Sequence, residues 1–182
     1  MSVPSVRGMD SRWVVYSLFA VAVVCAIGLI AFSVGIIGPL LGDGYDPTAG
    51  TGDYERTNVT VVDGSTGAEL GTVEAAVADT FVKRYLGLSG TERLPEDGGM
   101  LFVHDSPGEY TYVMRDMSFG LDIVFVAPDG TITTIHEAPE PGPDEDGNAQ
   151  AYPGRGQYVL EVNRGWTAER GIEAGDEVRF EL

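Results

Sequence analysis

Apolar residues in this chain fall into two regimes: one long unbroken run near the start, then short alternating segments punctuated by glycine, proline and acids. From Trp13 to Gly42, 30 residues carry no formal charge. A bilayer-spanning helix needs about 20 mainly apolar residues, so this run predicts a single transmembrane anchor over 13–42. Trp13 and Tyr16 sit at its amino end, where amphipathic rings favour the headgroup layer. Gly38-Pro39 disfavours continuation of the helix. Arg7 and Arg12 precede the run, whereas Asp43, Asp46, Asp53 and Glu55 follow it. The arginine bias places residues 1–12 as a short cytoplasmic tail and sends the carboxyl-terminal part outside the cell membrane. Secretion after signal cleavage is the alternative, but no small-x-small site follows a short apolar core.

Residues 43–56 have few aliphatic side chains and several acids, which predicts a flexible linker. The pattern then turns strand-like over 57–182. Asn58–Val62 and Glu69–Ala78 read as extended segments. Asp79-Thr80 ahead of Phe81–Leu86 reads as a cap and a short helix ending near Gly87 or Gly90, with Phe81, Tyr85 and Leu88 spaced to face the sheet. Met100–Val103 and Tyr110–Met114 are two further strands. Leu121–Val126 and Thr131–Ile135, joined through Pro128-Asp129-Gly130, predict an antiparallel hairpin. Glu137–Pro153 reads as a long polar loop. Gln157–Val162 is a strand, Thr167–Arg170 a helical turn and Val178–Leu182 a last strand. Many short strands and little helix predict a mainly β, compact sandwich- or barrel-like domain with one or two short helices, outside the membrane.

Charge narrows the setting. Beyond residue 42 there are 27 acidic and nine basic residues, and the whole chain carries a formal charge of −17. Acids spread along the domain, with Lys83 its single lysine, fit the solvated shell of a halophilic, archaeal protein. The same balance argues against nucleic acid as a partner, since phosphate binding draws on lysine and arginine. Cys25 is the only cysteine and lies in the apolar run, so no intrachain disulfide forms and no cysteine-held metal is implied. No cofactor is implied by any motif. Asp144-Glu145-Asp146-Gly147-Asn148 is rich in oxygen ligands but lacks the spacing of a calcium loop and reads as a solvated acidic stretch.

The segments Arg84–Leu88, Gly99–Phe102, Tyr112–Arg115, Leu121–Phe125, Tyr158–Val162 and Gly171–Val178, in this order, resemble the DUF192 family. The resemblance covers almost the whole external domain. It implies a compact β-rich fold of the sandwich type, commonly exported or tethered, and no established reaction. Family members are similar to Phe-Trp-Met-Lys-Asn-Thr in the central motif, where this chain has Tyr112, Val113, Met114, Arg115, Asp116 and Met117.

Candidate chemistry gathers around Arg84, Arg115, Asp116, Asp122 and His136. Strand alternation puts Asp122 on one face with Val124 and Val126. An acid among apolar neighbours needs hydrogen bonds or a cation, and Arg115 or Arg84 can supply the charge. A structural ion pair, a carboxylate holding a turn and a ligand-anchoring pocket are all open to it. His136 next to Glu137 ends a strand beside the long loop. The leading functional reading is a membrane-tethered module, anchored through 13–42, that binds a small ligand or an envelope protein. The alternative is a small-molecule hydrolase or other acid–base enzyme using Asp122 and His136 with Arg115. The acid shell makes one direct prediction. Moving the external domain from multimolar salt to about 0.1 M should lower its reversible unfolding midpoint, because charges a few ångströms apart lose their screening. Equal midpoints would contradict that reading.

Overall fold

The computed structural model describes residues 54–182. The anchor, the tail and all but the end of the linker expected at 1–56 lie outside the described residues. Among those described, no helix is long and apolar enough to cross a membrane.

The described chain is mostly β. Seven strands, β1 (Arg56–Val62), β2 (Glu69–Ala78), β3 (Gly98–Val113), β4 (Leu121–Val126), β5 (Ile132–Ala138), β6 (Ala151–Asn163) and β7 (Glu177–Arg179), form one sheet. Two short helices interrupt them, α1 (Phe81–Leu86) and α2 (Trp166–Glu169). The strand order is β5-β4-β6-β3-β2-β1-β7. All neighbours are antiparallel except β2 and β3, the one parallel pair, with α1 in their connection. The sheet curls into a half-barrel whose ends approach at an isolated bridge, Thr131 to Glu177. There the Ile132 amide donates to the Asp176 carbonyl and the Val178 amide to the Gly130 carbonyl, each at 2.8 Å.

Alternation sorts the core into two clusters. Val59, Val73, Leu101, Val124, Ile132, Leu160 and Val178, one from each strand, belong to the cluster that fills the curl, with Trp166 of α2 among them. Met100, Phe102, Leu121, Ile123, Phe125 and Val159 occupy the opposite face of the same central strands. β4 is therefore buried on both faces along its whole length. The hairpin from β4 to β5 forms as its turn predicts, with Gly130 at φ 91°, a conformation glycine adopts without a steric penalty.

Three expectations change. Phe81 and Tyr85 do not face the sheet: they are 75% and 60% exposed, while Leu88 is buried. The helix is turned by Arg84, whose Nη1 donates to the Asp79 and Val103 carbonyls at 2.7 Å. Met100–Val103 and Tyr110–Val113 belong to one 16-residue strand rather than two, which continues through an irregularity between Val103 and Gly108 and ends just short of Met114. The long loop also ends earlier than expected, because β6 begins at Ala151 and includes Pro153 and Gly154. Gly154 is there for packing: a β-carbon would overlap the Phe125 ring.

Asp122 shares its face with Val124 and Val126 as alternation predicts, but its partner is not an arginine. Its Oδ1 accepts from the Gly165 amide at 3.0 Å, and its Oδ2 accepts from the Thr167 amide at 2.9 Å and the Thr167 hydroxyl at 2.6 Å. This carboxylate ties the turn before α2, and so Trp166, to the sheet. Asp122→Asn keeps the volume but turns an amino group toward one of these donors, so it should cost about 1–3 kcal/mol of unfolding free energy. Combined with Arg115→Met, the two effects should add to within about 0.5 kcal/mol in denaturant titrations. Strong coupling would show that the pair interacts.

Candidate functional site

Beyond Val103 the β3–β6 ribbon is broken by the residues before Gly108, and pairing resumes at Gly108 with Gly156. Past that break it folds back over its own face. Tyr112 meets Phe102 and Phe125 edge-on, with ring centroids 5.0 and 5.7 Å away. Its hydroxyl lies 3.0 Å from His104 Nε2, and Tyr110 stacks on the His104 ring at 3.5 Å. Opposite stands α1, started by the Thr80 hydroxyl accepting from the Lys83 amide at 3.2 Å. Between ribbon and helix lies a cavity of about 390 Å³, within the range of pockets that hold small molecules.

Glu161 lines this cavity. Its place on β6, opposite Met100 of β3 and Ile123 of β4, puts it on the apolar face with Phe102 and Leu121. It is only 4% exposed. Burial alone pushes its carboxyl up to about 8, with no hydrogen bond or cation offsetting the loss of water. The same burial, helped by the Arg84 charge, draws His104 down to about 4. Burial, and then the nearness of Glu161, raises Tyr112 above the usual phenol range. Near neutral pH the site holds a neutral imidazole, a neutral phenol and a carboxyl that changes charge with little prompting.

Of the five residues singled out from sequence, Arg84 and Arg115 both line the cavity. The Arg115 guanidinium lies 4.3 Å over the Tyr85 ring and donates to the Tyr85 carbonyl. Asp116 is exposed beside them at φ 54°, its carbonyl accepting from the Gly90 amide at 3.1 Å. Asp and Asn tolerate this left-handed conformation better than most residues, so the position makes a turn. Asp122 is on the other face of the sheet. His136 is not among the lining residues either: it stands opposite Ile123 in the register, packs edge-on against Phe125, and has Nε2 2.8 Å from the Pro153 carbonyl oxygen. The suggested acid–base set of Asp122, His136 and Arg115 is not assembled. Asp146 bonds within its own turn, to the Asn148 amide at 2.9 Å. No group of three or more His, Cys, Asp and Glu among the described residues is placed to hold a metal.

Sequence reasoning missed Glu161, His104 and Tyr112. The signal for Glu161 was present: a lone acid inside Tyr158–Val162, subject to the same alternation argument as Asp122. His104 and Tyr112 meet only because the ribbon folds back, which no local pattern announces.

The fold and pocket define a small, mainly β module with an aromatic-lined cavity. Residues 62–180 match the model of DUF192, described as an uncharacterized ACR, and the chain belongs to this family. No curated protein matches the sequence. Among solved structures it is similar to a Sinorhizobium meliloti protein provisionally described as a transcription regulator. That match has 26% identity and a TM-score of 0.64, covering 72% of this chain and 98% of the other. A Novosphingobium aromaticivorans protein of unknown function is similar at 27% identity and TM-score 0.60, over 75% and 99% of the two chains. The first likeness overturns the exclusion of nucleic acid drawn from charge. Net charge sums the whole surface, and it does not decide which partners a protein of this fold meets.

The buried carboxyl makes stability depend on pH with a definite sign. Because the folded-state value is raised from 4.5 to about 8, the contribution of Glu161 is intact below about pH 4.5 and is lost as pH rises through about 8. Glu161→Gln should match the wild type at low pH and exceed it by a few kcal/mol above about pH 8. Thermal melts of both proteins across pH check this, and parallel profiles would contradict it.

Proposed function

We propose that this protein is a tethered, outward-facing module that captures a small, largely apolar molecule in the cavity between α1 and the folded-back β3–β6 ribbon. The observation that carries this reading is Glu161, a buried carboxyl that lines a cavity walled largely by aromatic and aliphatic side chains and has no hydrogen-bond partner among the described residues. A buried polar group without a partner costs free energy, and a fold tolerates that cost most readily where something else completes the site. The exposed rings of Phe81 and Tyr85 stand at the mouth, 6.3 Å apart and near-parallel, offering apolar surface to an entering molecule. Likeness to the two solved structures supports a binding or structural module of this shape, and the separation of Asp122 from His136 removes the basis for the acid–base alternative.

Tethering rests on the uncharged run 13–42, and the orientation, amino terminus inside and domain outside, rests on Arg7 and Arg12 ahead of it. Protease added to intact cells should therefore digest the domain, whereas protection until lysis would reverse the orientation. For capture itself, the measurement is fluorine NMR of small fluorinated aromatic fragments against the detergent-solubilised full chain. Thr111 is an exposed residue at the cavity edge, so Thr111→Trp should shade the mouth without disturbing the core. Fragments that bind the wild type should bind this variant at least about tenfold more weakly, a loss of roughly 1.4 kcal/mol. Equal binding, or no fragment bound at all, would remove the pocket reading.

A further inference from the structure

Resting on the pocket reading above, we infer that the captured molecule is a small organic ammonium with an aromatic or branched apolar body, its charged nitrogen seated against Glu161. Glu161 is more than nine-tenths buried and opens into the cavity. Among the described residues, the cations nearest the cavity are engaged elsewhere. Arg84 directs Nη1 to the carbonyls of Asp79 and Val103, and Arg115 directs Nη2 to the Tyr85 carbonyl. Lys83 bonds Asp79 at 2.9 Å. The Glu161 carboxyl is thus the one acidic side chain among the described residues lining the cavity, and none of those residues donates to it.

The walls agree with this choice. Phe102, Tyr112, Tyr110 and Tyr85 contribute rings to the lining, and aromatic faces attract ammonium groups as well as apolar carbon. An anionic ligand fits less well. It would meet Glu161 inside the cavity, and the two arginines already spend donors on backbone carbonyls. A neutral ligand could at most donate an uncharged hydrogen bond, weaker than the charge-assisted one an ammonium makes.

Binding of an ammonium here requires the carboxylate, so it is coupled to proton release. The groups facing this space are Arg84 on α1, Arg115 after β3, Tyr85 on α1, and His104, Tyr110 and Tyr112 on β3. With His104 drawn down to about 4 and Tyr112 raised, neither changes charge between about pH 6 and 8. The proton released in that window comes from Glu161, which sits at about 8.

The test is calorimetric titration of the detergent-solubilised full chain with phenethylamine, 2-phenylethanol and 3-phenylpropionate. Phenethylamine should bind at least about tenfold more tightly than the alcohol near pH 8.5, and its affinity should rise about tenfold from pH 6 to 7 and about fivefold more from 7 to 8. Glu161→Gln should abolish both the preference and the slope while still binding 2-phenylethanol. The amine-to-alcohol ratio and the slope are both read on the wild type, so they decide the matter even where the variant folds poorly. If the alcohol or the carboxylate binds as tightly as the amine, or the amine shows no pH slope, the ammonium assignment is wrong and the pocket reading survives. If none of the three binds, both are wrong.

Discussion

The pairing of β3 with β6, and its interruption between Val103 and Gly108, is the constraint on which the rest of the structure depends. Before the interruption the two strands form the centre of the sheet, with β4 on one side and β2 on the other. After it the same two strands leave the sheet plane and cover part of their own face, pressing Tyr112 onto Phe102 and Phe125. Half of the ladder builds the core and the other half builds a wall. A sheet face that would otherwise need a second layer is covered by its own continuation, and the cavity is the space that this cover and α1 leave between them.

The two buried acids of the central strands show what that space does. Asp122 faces the filled side, where the turn before α2 supplies three donors and the group becomes a structural tie. Glu161 faces the open side, where the neighbouring side chains are rings and aliphatic groups. Both acids are charged residues in apolar strands, yet one is satisfied by backbone and hydroxyl and the other by nothing in the described chain. Buried charges are usually paired or neutralised by a shift in acidity, and this domain uses one solution for each. The contrast between the two faces, more than any single residue, points to the cavity as the working side.

Much of this was legible in the sequence. The β4–β5 hairpin followed from Pro128-Asp129-Gly130 between two β-branched runs, and the burial of Asp122 with Val124 and Val126 followed from alternation. The helical start at Thr80 was equally local. What could not be read were features set by distant chain. Pro153, Gly154 and Gly156 look like loop residues, but they lie in β6, where Gly154 lets the ribbon pass close over Phe125 and Gly156 lets it approach the Val126 backbone. Phe81 and Tyr85 have core-like spacing, but α1 is turned by the bonds of Arg84 to carbonyls before and beyond it. Arg84 and Arg115 were singled out by type and do come together, whereas Asp122 and His136 are separated by the sheet itself. Net charge was the weakest guide, since it spoke for the surface as a whole and excluded a partner class that a protein of similar fold does not let it exclude.

Glu161 sits in the cavity as a carboxyl with no partner among the described residues. This central claim is tested most directly by carbon-13 NMR titration of the Glu161 side-chain carboxyl in the full chain without added ligand. A single transition with a midpoint near 8 is the expected result. A midpoint in the ordinary glutamate range, near about 4.3, would show that water or a protein donor already serves the group, and would contradict the claim.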